Sequence, residues 1–219
     1  QGDKVRDYGY NVIYTSDSCL TGTDRVAEAS LEIDADVIVN VQGDEALLNP
    51  NDIIKAVECK LDNKDCVVTC MAKLTSSEKP TDLKTCKVVT NLDGDLMYVS
   101  RNAIPSSKNG IVKSAHKQVC VYAFDKKQLK EYYGVGKKNG KTPVESSEDI
   151  EIIRFLEMGI KVKMVEVEGG TLAVDYPEDV KMVENIFRKQ QLYSKLDTKA
   201  KSGIRSVSYT HLTLPTKRI

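Results

Sequence analysis

Two aspartates closely follow apolar runs that are typical of buried parallel strands. Asp44 comes shortly after the run at 37–41, and Asp175 comes directly after the run at 172–174. The carboxyl ends of parallel strands meet at one edge of a sheet, where open α/β folds bind their ligands. Two carboxylates at that edge are suited to hold Mg²⁺ while phosphate oxygens complete its coordination. The residues leave a second interpretation open, in which each aspartate is only a turn or helix-cap residue.

The composition describes an ordinary globular chain. The 219 residues contain 41% hydrophobic side chains, and 32 basic residues balance 32 acidic ones. A neutral total gives no reason to expect a nucleic acid as partner, and no apolar run approaches the roughly 20 residues that a membrane span needs. The six cysteines have irregular spacing, so we expect reduced thiols rather than a disulfide framework or a metal cluster.

Strand-like and helix-like stretches alternate along the chain. The predicted strands are at 10–14, 37–41, 66–71, 87–90, 96–99, 119–124 and 160–167. The predicted helices run from Thr23 or Asp24 to 31, from Pro50 onward, over 126–133, over 147–158 and from Pro177 to 186, with a loop at 134–141. Alternation of this kind predicts an α/β fold with a doubly wound, mainly parallel sheet, and a hairpin at 87–99 makes the sheet mixed.

Several motifs resemble the CMP-3-deoxy-manno-octulosonate synthetase family and occur in that family's order. They are TGTDRVAE at 21–28, VNVQGDE at 39–45, KVVT at 87–90, YVSR at 98–101 with Ile104-Pro105, the 148–154 segment, and VDYPED at 174–179. The resemblance covers roughly residues 10 to 188 and implies a nucleotidyltransferase-like fold. In the family, the anomeric hydroxyl of a 3-deoxy-2-keto sugar acid attacks the α-phosphate of CTP and releases pyrophosphate.

The resemblance also implies a role for individual residues. Asp44 and Asp175 match the catalytic carboxylates that hold Mg²⁺. The positions that match the nucleotide pocket are Gly22, Thr23, Arg25 and Gln42, and those that match the sugar-acid pocket are Arg101, Gln118 and Glu151. A bidentate arginine is a natural partner for the sugar's carboxylate, and a glutamate accepts hydrogen bonds from its hydroxyls.

Two positions depart from the family's pattern. Gln118 stands where the family usually has histidine, and Ile152 stands where it has glutamine beside Glu151. Because both positions face the sugar in the family, the sugar acid is either altered, for example by an amino group, or unchanged in a divergent branch. An acylneuraminate cytidylyltransferase and a metal-dependent glycosyltransferase remain as alternatives. The second of these normally carries an Asp-x-Asp motif, whereas only one aspartate is present in Gly43-Asp44-Glu45.

The ends of the chain carry further expectations. The family's opening strand and its basic, glycine-containing phosphate loop have no counterpart here, so we expect an N-terminally truncated nucleotidyltransferase domain over 1–190 that is inactive alone. A helical or disordered extension is predicted for 191–205, and 206–219 is interpreted as a non-native tail. The resemblance further implies a cytoplasmic enzyme that supplies bacterial lipopolysaccharide biosynthesis, with a homodimer in which the hairpin takes part.

Overall fold

A computed structural model describes residues 2–109, 115–169, 174 and 177–194. Its centre is a six-stranded sheet with the order β4-β3-β5-β2-β6, and β1 pairs with β5 beside that path. The strands are β1 (Ile38–Val41), β2 (Val67–Lys73), β3 (Lys87–Thr90), β4 (Leu96–Ser100), β5 (His116–Phe124) and β6 (Val162–Glu166). The mixed α/β sheet predicted from the sequence is confirmed.

The long strand β5 gives the sheet its mixed character. It is antiparallel to β1, β2 and β3, while β6 is parallel to β2 and β4 is antiparallel to β3. Within the described residues, therefore, β1, β2, β3 and β6 share one direction and β4 and β5 have the other. The carboxyl ends of β1, β2 and β6 lie at the same edge as the amino end of β5, because Lys73 pairs with His116.

Helices cover both faces of this sheet. They are α1 (Gly2–Asp7), α2 (Gly22–Ala29), α3 (Pro50–Asp62), α4 (Lys126–Asn139), α5 (Pro143–Glu148), α6 (Ile153–Glu157) and α7 (Pro177–Ser194). One apolar cluster joins the sheet to α2, α4 and α6 through Val26, Leu129 and Phe155. A second cluster joins the opposite sheet face to α3 through Ala56. Neighbouring residues Val67 and Val68 belong to different clusters, as expected when successive strand side chains point to opposite faces.

The strand expected at 10–14 is absent, and that prediction was wrong. These residues have no regular secondary structure, and Tyr10 and Tyr14 are 53% and 68% exposed. A short run of β-type residues becomes a strand only when a neighbour supplies backbone partners and its side chains have a surface to cover. Within the described part of the chain, no strand of the sheet pairs with these residues.

Two helix predictions also need correction. The segment at 134–141 was expected to be a loop, but α4 continues through Gly134 and Gly136 and ends at Asn139. The helix expected at 147–158 is instead two short helices, interrupted around Asp149, which adopts the left-handed conformation with φ 53°. Glu148 therefore ends α5, Arg154 belongs to α6, and Glu151 lies between the two helices.

The start of α2 lies slightly earlier than expected. Thr21, rather than Thr23 or Asp24, is the N-cap, and its hydroxyl oxygen accepts a hydrogen bond from the Asp24 backbone N–H. Asp24 is consequently inside the helix and 1% exposed, so its carboxylate is available for a buried interaction.

Some predictions fall outside the described residues. They concern Asp175 and the short strand before it, most of the 191–205 extension, and the 206–219 tail. Helix α7 begins at Pro177 as predicted. None of the helices in the described part of the chain has the length and apolar character to cross a bilayer.

Candidate active site

Asp44 lies in the turn that follows β1, at the edge where the carboxyl ends of β1, β2 and β6 meet. One of its carboxylate oxygens, Oδ1, is buried and has no hydrogen-bond partner. The Asp44 carbonyl accepts a hydrogen bond of 3.0 Å from the Val174 backbone N–H. Val174, the residue directly before Asp175, is therefore hydrogen-bonded to Asp44, although the two residues are 130 positions apart in the sequence.

Asp44 meets one requirement of a cation ligand, because a buried carboxylate oxygen without a donor is costly unless something positive or hydrogen-bonding meets it. Among the residues that the structure describes, no group of three His, Cys, Asp or Glu side chains is placed to hold a metal ion. Asp175, the other predicted ligand, is outside that set. Gln42 is half-buried in the same turn, and its carbonyl accepts from the Glu45 backbone N–H at 3.1 Å.

The turn at 21–25 presents backbone N–H groups at the start of α2. Gly22 packs closely against Glu151, since a Cβ at position 22 would lie 3.4 Å from a Glu151 carboxylate oxygen. The Thr23 backbone N–H donates to that same oxygen, Oε2, at 2.8 Å. Arg25 extends the other way and donates to the Thr15 hydroxyl at 2.9 Å and the Ser16 carbonyl at 3.1 Å.

Glu151 is thus placed between the predicted nucleotide turn and the sheet. Its second oxygen, Oε1, is buried without a hydrogen-bond partner. Burial raises the pKa of the Glu151 carboxyl, the Thr23 hydrogen bonds oppose that shift, and the nearby carboxylates of Asp24 and Glu145 add to it. Such a carboxyl group is ready to accept a hydrogen bond from a ligand hydroxyl.

Gln118 lies near the amino end of β5, on the sheet face that carries Tyr122. Its side-chain amide donates to the Tyr122 hydroxyl at 3.2 Å. Between them, the Cys120 thiol has its pKa raised by burial first and then by the carboxylate of Glu45, with a smaller effect from Glu151. The carboxylates of Glu45, after β1, and Glu151, before α6, are therefore both near enough to this thiol to affect its pKa.

Ile152 does not face an open cleft in this structure. Its side chain is 1% exposed and belongs to the apolar cluster under α2, α4 and α6. The expectation that this position contacts the sugar is therefore not supported by its burial. Among the two departures from the family's pattern, only Gln118 remains beside the candidate site.

Arg101 follows β4, and its guanidinium is bonded to the protein backbone. It donates to the carbonyls of Glu148 at 2.8 Å, Asp149 at 3.0 Å and Leu83 at 3.2 Å. The ammonium group of the fully buried Lys87 donates a hydrogen bond to the Arg101 carbonyl. Direct contact between Arg101 and a sugar carboxylate stays a prediction, because three of the five guanidinium donors are used in this structure.

Glu148 binds the carboxyl end of β4 through hydrogen bonds to its carboxylate. Its carboxylate accepts from the Ser100 hydroxyl at 2.7 Å, the Arg101 backbone N–H at 3.0 Å and the Tyr98 hydroxyl at 3.1 Å. Partial burial favours a higher pKa for Glu148, but these hydrogen bonds outweigh it and leave the pKa below its usual value. Glu148 thus acts on the loop containing Arg101 and not on the surroundings of Glu151.

A buried ionic network is the part of the site that sequence reasoning missed. Arg154 is 0% exposed and lies between the carboxylates of Asp24 and Glu145, at 2.8 and 2.7 Å. Its guanidinium also packs 3.9 Å from the centre of the Tyr132 ring. Arg154 lies in a stretch that was predicted only as one helix over 147–158, and a charged residue in such a helix gives no signal for a fully buried arginine.

The sheet topology and an acidic turn beyond β1 define a nucleotidyltransferase-like α/β protein. Residues 2–164 match the sequence profile of the family described as Cytidylyltransferase. The chain belongs to this cytidylyltransferase family.

Relatives and solved structures support the same placement. The chain is 34% identical over 192 residues to the mitochondrial 3-deoxy-manno-octulosonate cytidylyltransferase of Arabidopsis thaliana, with 85% of this chain and 65% of the relative covered. The enzyme of the same name from Chlamydia pneumoniae is 35% identical over 189 residues, with 83% and 71% covered. The chain therefore spans just under two thirds of the plant relative's length.

The likeness extends to three dimensions. A structure of CMP:2-keto-3-deoxy-manno-octonic acid synthetase complexed with CTP superimposes with a TM-score of 0.78 at 28% identity, covering 86% of this chain and 76% of that one. The inositol-1-phosphate CTP transferase from T. maritima shares the fold alone, with a TM-score of 0.56 at 17% identity, covering 86% and 71%.

Proposed function

We propose that the whole protein containing this sequence is a cytidylyltransferase that couples CTP to a 3-deoxy-2-keto sugar acid, with 3-deoxy-manno-octulosonate as the first candidate. The observation that carries the proposal is the buried, unpartnered Asp44 oxygen at the sheet edge, with Val174 bonded to the same residue. Relatives that carry this activity in their names are 31% to 35% identical to the chain, which supports the choice of substrates.

In the proposed reaction the anomeric oxygen of the sugar acid bonds to the α-phosphorus of CTP. The bond from that phosphorus to the bridging oxygen breaks, pyrophosphate leaves, and the hydroxyl proton passes to solvent or a nearby base. Catalysis of this kind depends mainly on alignment and on stabilising charge. The chain's contribution is therefore to hold the two substrates at a fixed spacing.

Asp44 and Asp175 are the residues that would hold Mg²⁺, and the bound ion would neutralise triphosphate charge. The unpartnered Asp44 oxygen fits this use. The chain's other groups act on the organic parts of the substrates. By analogy with the family, Gly22, Thr23 and Arg25 in the 21–25 turn would contact cytosine and ribose, and Gln42 would lie near the nucleotide.

For the sugar acid, Glu151 would accept a hydroxyl hydrogen bond through its buried Oε1, and Gln118 would present its amide beside Tyr122. Arg101 would complete the pocket, either through its unused donors or by fixing the loop around Glu148. With Ile152 in the core, Gln118 is the residue that would distinguish one sugar acid from another.

The deciding experiment offers the purified whole protein CTP, Mg²⁺ and a panel of sugar acids, and measures pyrophosphate release. We expect turnover with 3-deoxy-manno-octulosonate and none with an acylneuraminate. Turnover with the acylneuraminate alone would move the protein to that branch of the superfamily. Transfer of a sugar from a nucleotide sugar, without pyrophosphate release, would overturn the assignment in favour of a glycosyltransferase.

We also propose a cytoplasmic homodimer whose product feeds bacterial lipopolysaccharide biosynthesis. The hairpin of β3 and β4 supports association, because it exposes apolar side chains at Leu92 and Met97, which are 107% and 64% exposed. Sedimentation of the wild type and a Met97→Lys variant tests this part: we expect a dimer that weakens in the variant.

A further inference from the structure

The buried network around Arg154 connects two segments that the proposed function assigns to different substrates. Arg154 donates through all five of its N–H groups. The acceptors are the carboxylates of Asp24 and Glu145, with two bonds each, and the Tyr132 carbonyl. A buried guanidinium is stable only when its charge and every donor are satisfied in this way.

On the nucleotide side, the network fixes the turn that opens α2. Asp24 accepts a hydrogen bond from the Thr21 hydroxyl at 2.8 Å, while the Thr21 hydroxyl oxygen accepts from the Asp24 N–H at 3.2 Å. The carboxylate that Arg154 holds is thus part of the N-cap itself. Movement of the Arg154 guanidinium would change the position of the 21–25 turn relative to the sheet.

On the sugar-acid side, the network fixes Glu151. The ring of Tyr132 packs on Arg154, and its hydroxyl donates a hydrogen bond to the Glu151 carbonyl at 3.2 Å. The Glu151 carboxylate in turn accepts from the Thr23 N–H at 2.8 Å. The segment that presents Glu151 and the turn that presents the nucleotide donors are therefore bonded to each other and to the same arginine.

We propose that Arg154 is a positioning residue that fixes the distance between the nucleotide turn at 21–25 and the buried Oε1 of Glu151, and so aligns the two substrates for reaction. This inference rests on the proposed function and concerns how the same site is assembled. Arg154 has no free donor, so it acts through Asp24 and Tyr132 and not by touching a substrate.

Helix α4 offers a matched pair of substitutions for the test. A Cβ at Gly136 would lie 2.5 Å from Arg154 Nη1 and 3.0 Å from Asp24 Oδ1, so Gly136→Ala forces the guanidinium to move. A Cβ at Gly134, two residues earlier in the same helix, meets nothing within 4 Å. Both changes replace glycine by alanine in the same helix, and neither removes a charge.

The experiment compares wild type, Gly136→Ala, Gly134→Ala and Arg154→Lys in the whole protein. It measures kcat, the KM for the sugar acid, and the Kd for CTP by calorimetry. We expect Gly136→Ala to lower kcat about tenfold or more, while the sugar-acid KM and the Kd for CTP change little, because misalignment affects the reaction more than the separate binding of each substrate. Arg154→Lys, which keeps the charge but has fewer donors, should also lower kcat.

Three results would count against the inference. If Gly136→Ala lowers only the melting temperature, and the folded enzyme keeps its kcat and KM, Arg154 is merely structural. If the variant loses CTP affinity alone, the network serves one pocket and does not align two. If the wild type binds no CTP and releases no pyrophosphate, the proposed function fails, and the inference fails with it. Gly134→Ala should match the wild type in every constant.

Discussion

Asp44 is the residue on which the proposed chemistry depends most directly. Its unpartnered oxygen would contact the proposed cation, and replacing the carboxylate by an amide removes the charge with little change of shape. We expect Asp44→Asn to lower kcat by about a hundredfold or more, the size of effect seen when one electrostatic group is removed from an active site. Pyrophosphate release measures this, and an unchanged melting temperature confirms that the fold is intact. Activity close to that of wild type would exclude Asp44 as a ligand.

Burial of the Glu151 carboxylate is unfavourable for stability, although the proposed function needs this group. Its folded-state pKa is raised, mainly by burial, so the folded protein binds this proton more tightly than the unfolded chain does. The resulting loss of stability begins as pH rises above the unfolded pKa and is complete above the folded pKa. Glu151→Gln removes the charge and can still accept from the Thr23 N–H. At pH 7 we expect the variant's melting temperature to equal or exceed that of wild type, and at low pH we expect this difference to be smaller. Turnover should fall strongly.

This account of Glu151 is contradicted if Glu151→Gln lowers the melting temperature relative to wild type, and lowers it more at pH 7 than at low pH.

A matched control is Glu148→Gln, because the pKa of Glu148 is shifted in the opposite direction. The folded pKa of Glu148 is lowered, so its contribution is present above the unfolded pKa and is lost as pH falls through the folded pKa. Glu148→Gln should therefore destabilise the protein at neutral pH and make its stability less sensitive to acid.

At the scale of elements, the break between α5 and α6 places Glu148 and Glu151 in different environments. Asp149 makes this break with φ 53°, a conformation that asparagine and aspartate tolerate and that β-branched residues do not. We expect Asp149→Val to lower the free energy of unfolding by about 1–2 kcal/mol. Asp149→Asn removes the same ion pair with Lys141 and keeps the backbone preference, so it is the control. Equal losses in urea unfolding would contradict a backbone origin.

Elements with a strong local pattern were predictable from the sequence. The apolar runs of β1, β2 and β5, the β3–β4 hairpin and the proline at the start of α7 all appear where expected. The break at Asp149 was not predictable, because an aspartate inside a helical pattern gives no signal for a left-handed residue. The extension of α4 through Gly136 also depends on a distant contact, since the glycine makes room for Arg154.

The candidate site was predictable to the extent that its residues follow strands. Asp44 could be placed at a sheet edge from the run before it, and the described residue Val174 is hydrogen-bonded to it, while the position of Asp175 stays a prediction. The Asp24–Arg154 pair could not, because the two residues are 130 positions apart and each has an ordinary local interpretation. A single sequence carries no direct signal for such a contact.

At the scale of the whole molecule, Lys60 joins the two helical layers around an end of the sheet. It is 2% exposed and lies on α3, which covers one face. Its ammonium group donates to the Cys66 carbonyl at 2.9 Å before β2, and to Asp125 at 3.1 Å and Gln128 at 3.0 Å at the start of α4, which covers the other face. One buried cation thus satisfies groups from both layers.

Lys60→Met retains most of the apolar stem but leaves these acceptors without their donor. We expect a loss of about 2–4 kcal/mol in the free energy of unfolding, below the upper range for buried pairs because Asp125 is 32% exposed. Lys55→Met, at an exposed position of the same helix, controls for the loss of a charge and should change little. Since the contact is remote from Asp44 and Glu151, the folded variant should keep its kcat. Urea unfolding with equal losses for both lysine variants would show that the two layers are held together by apolar packing alone.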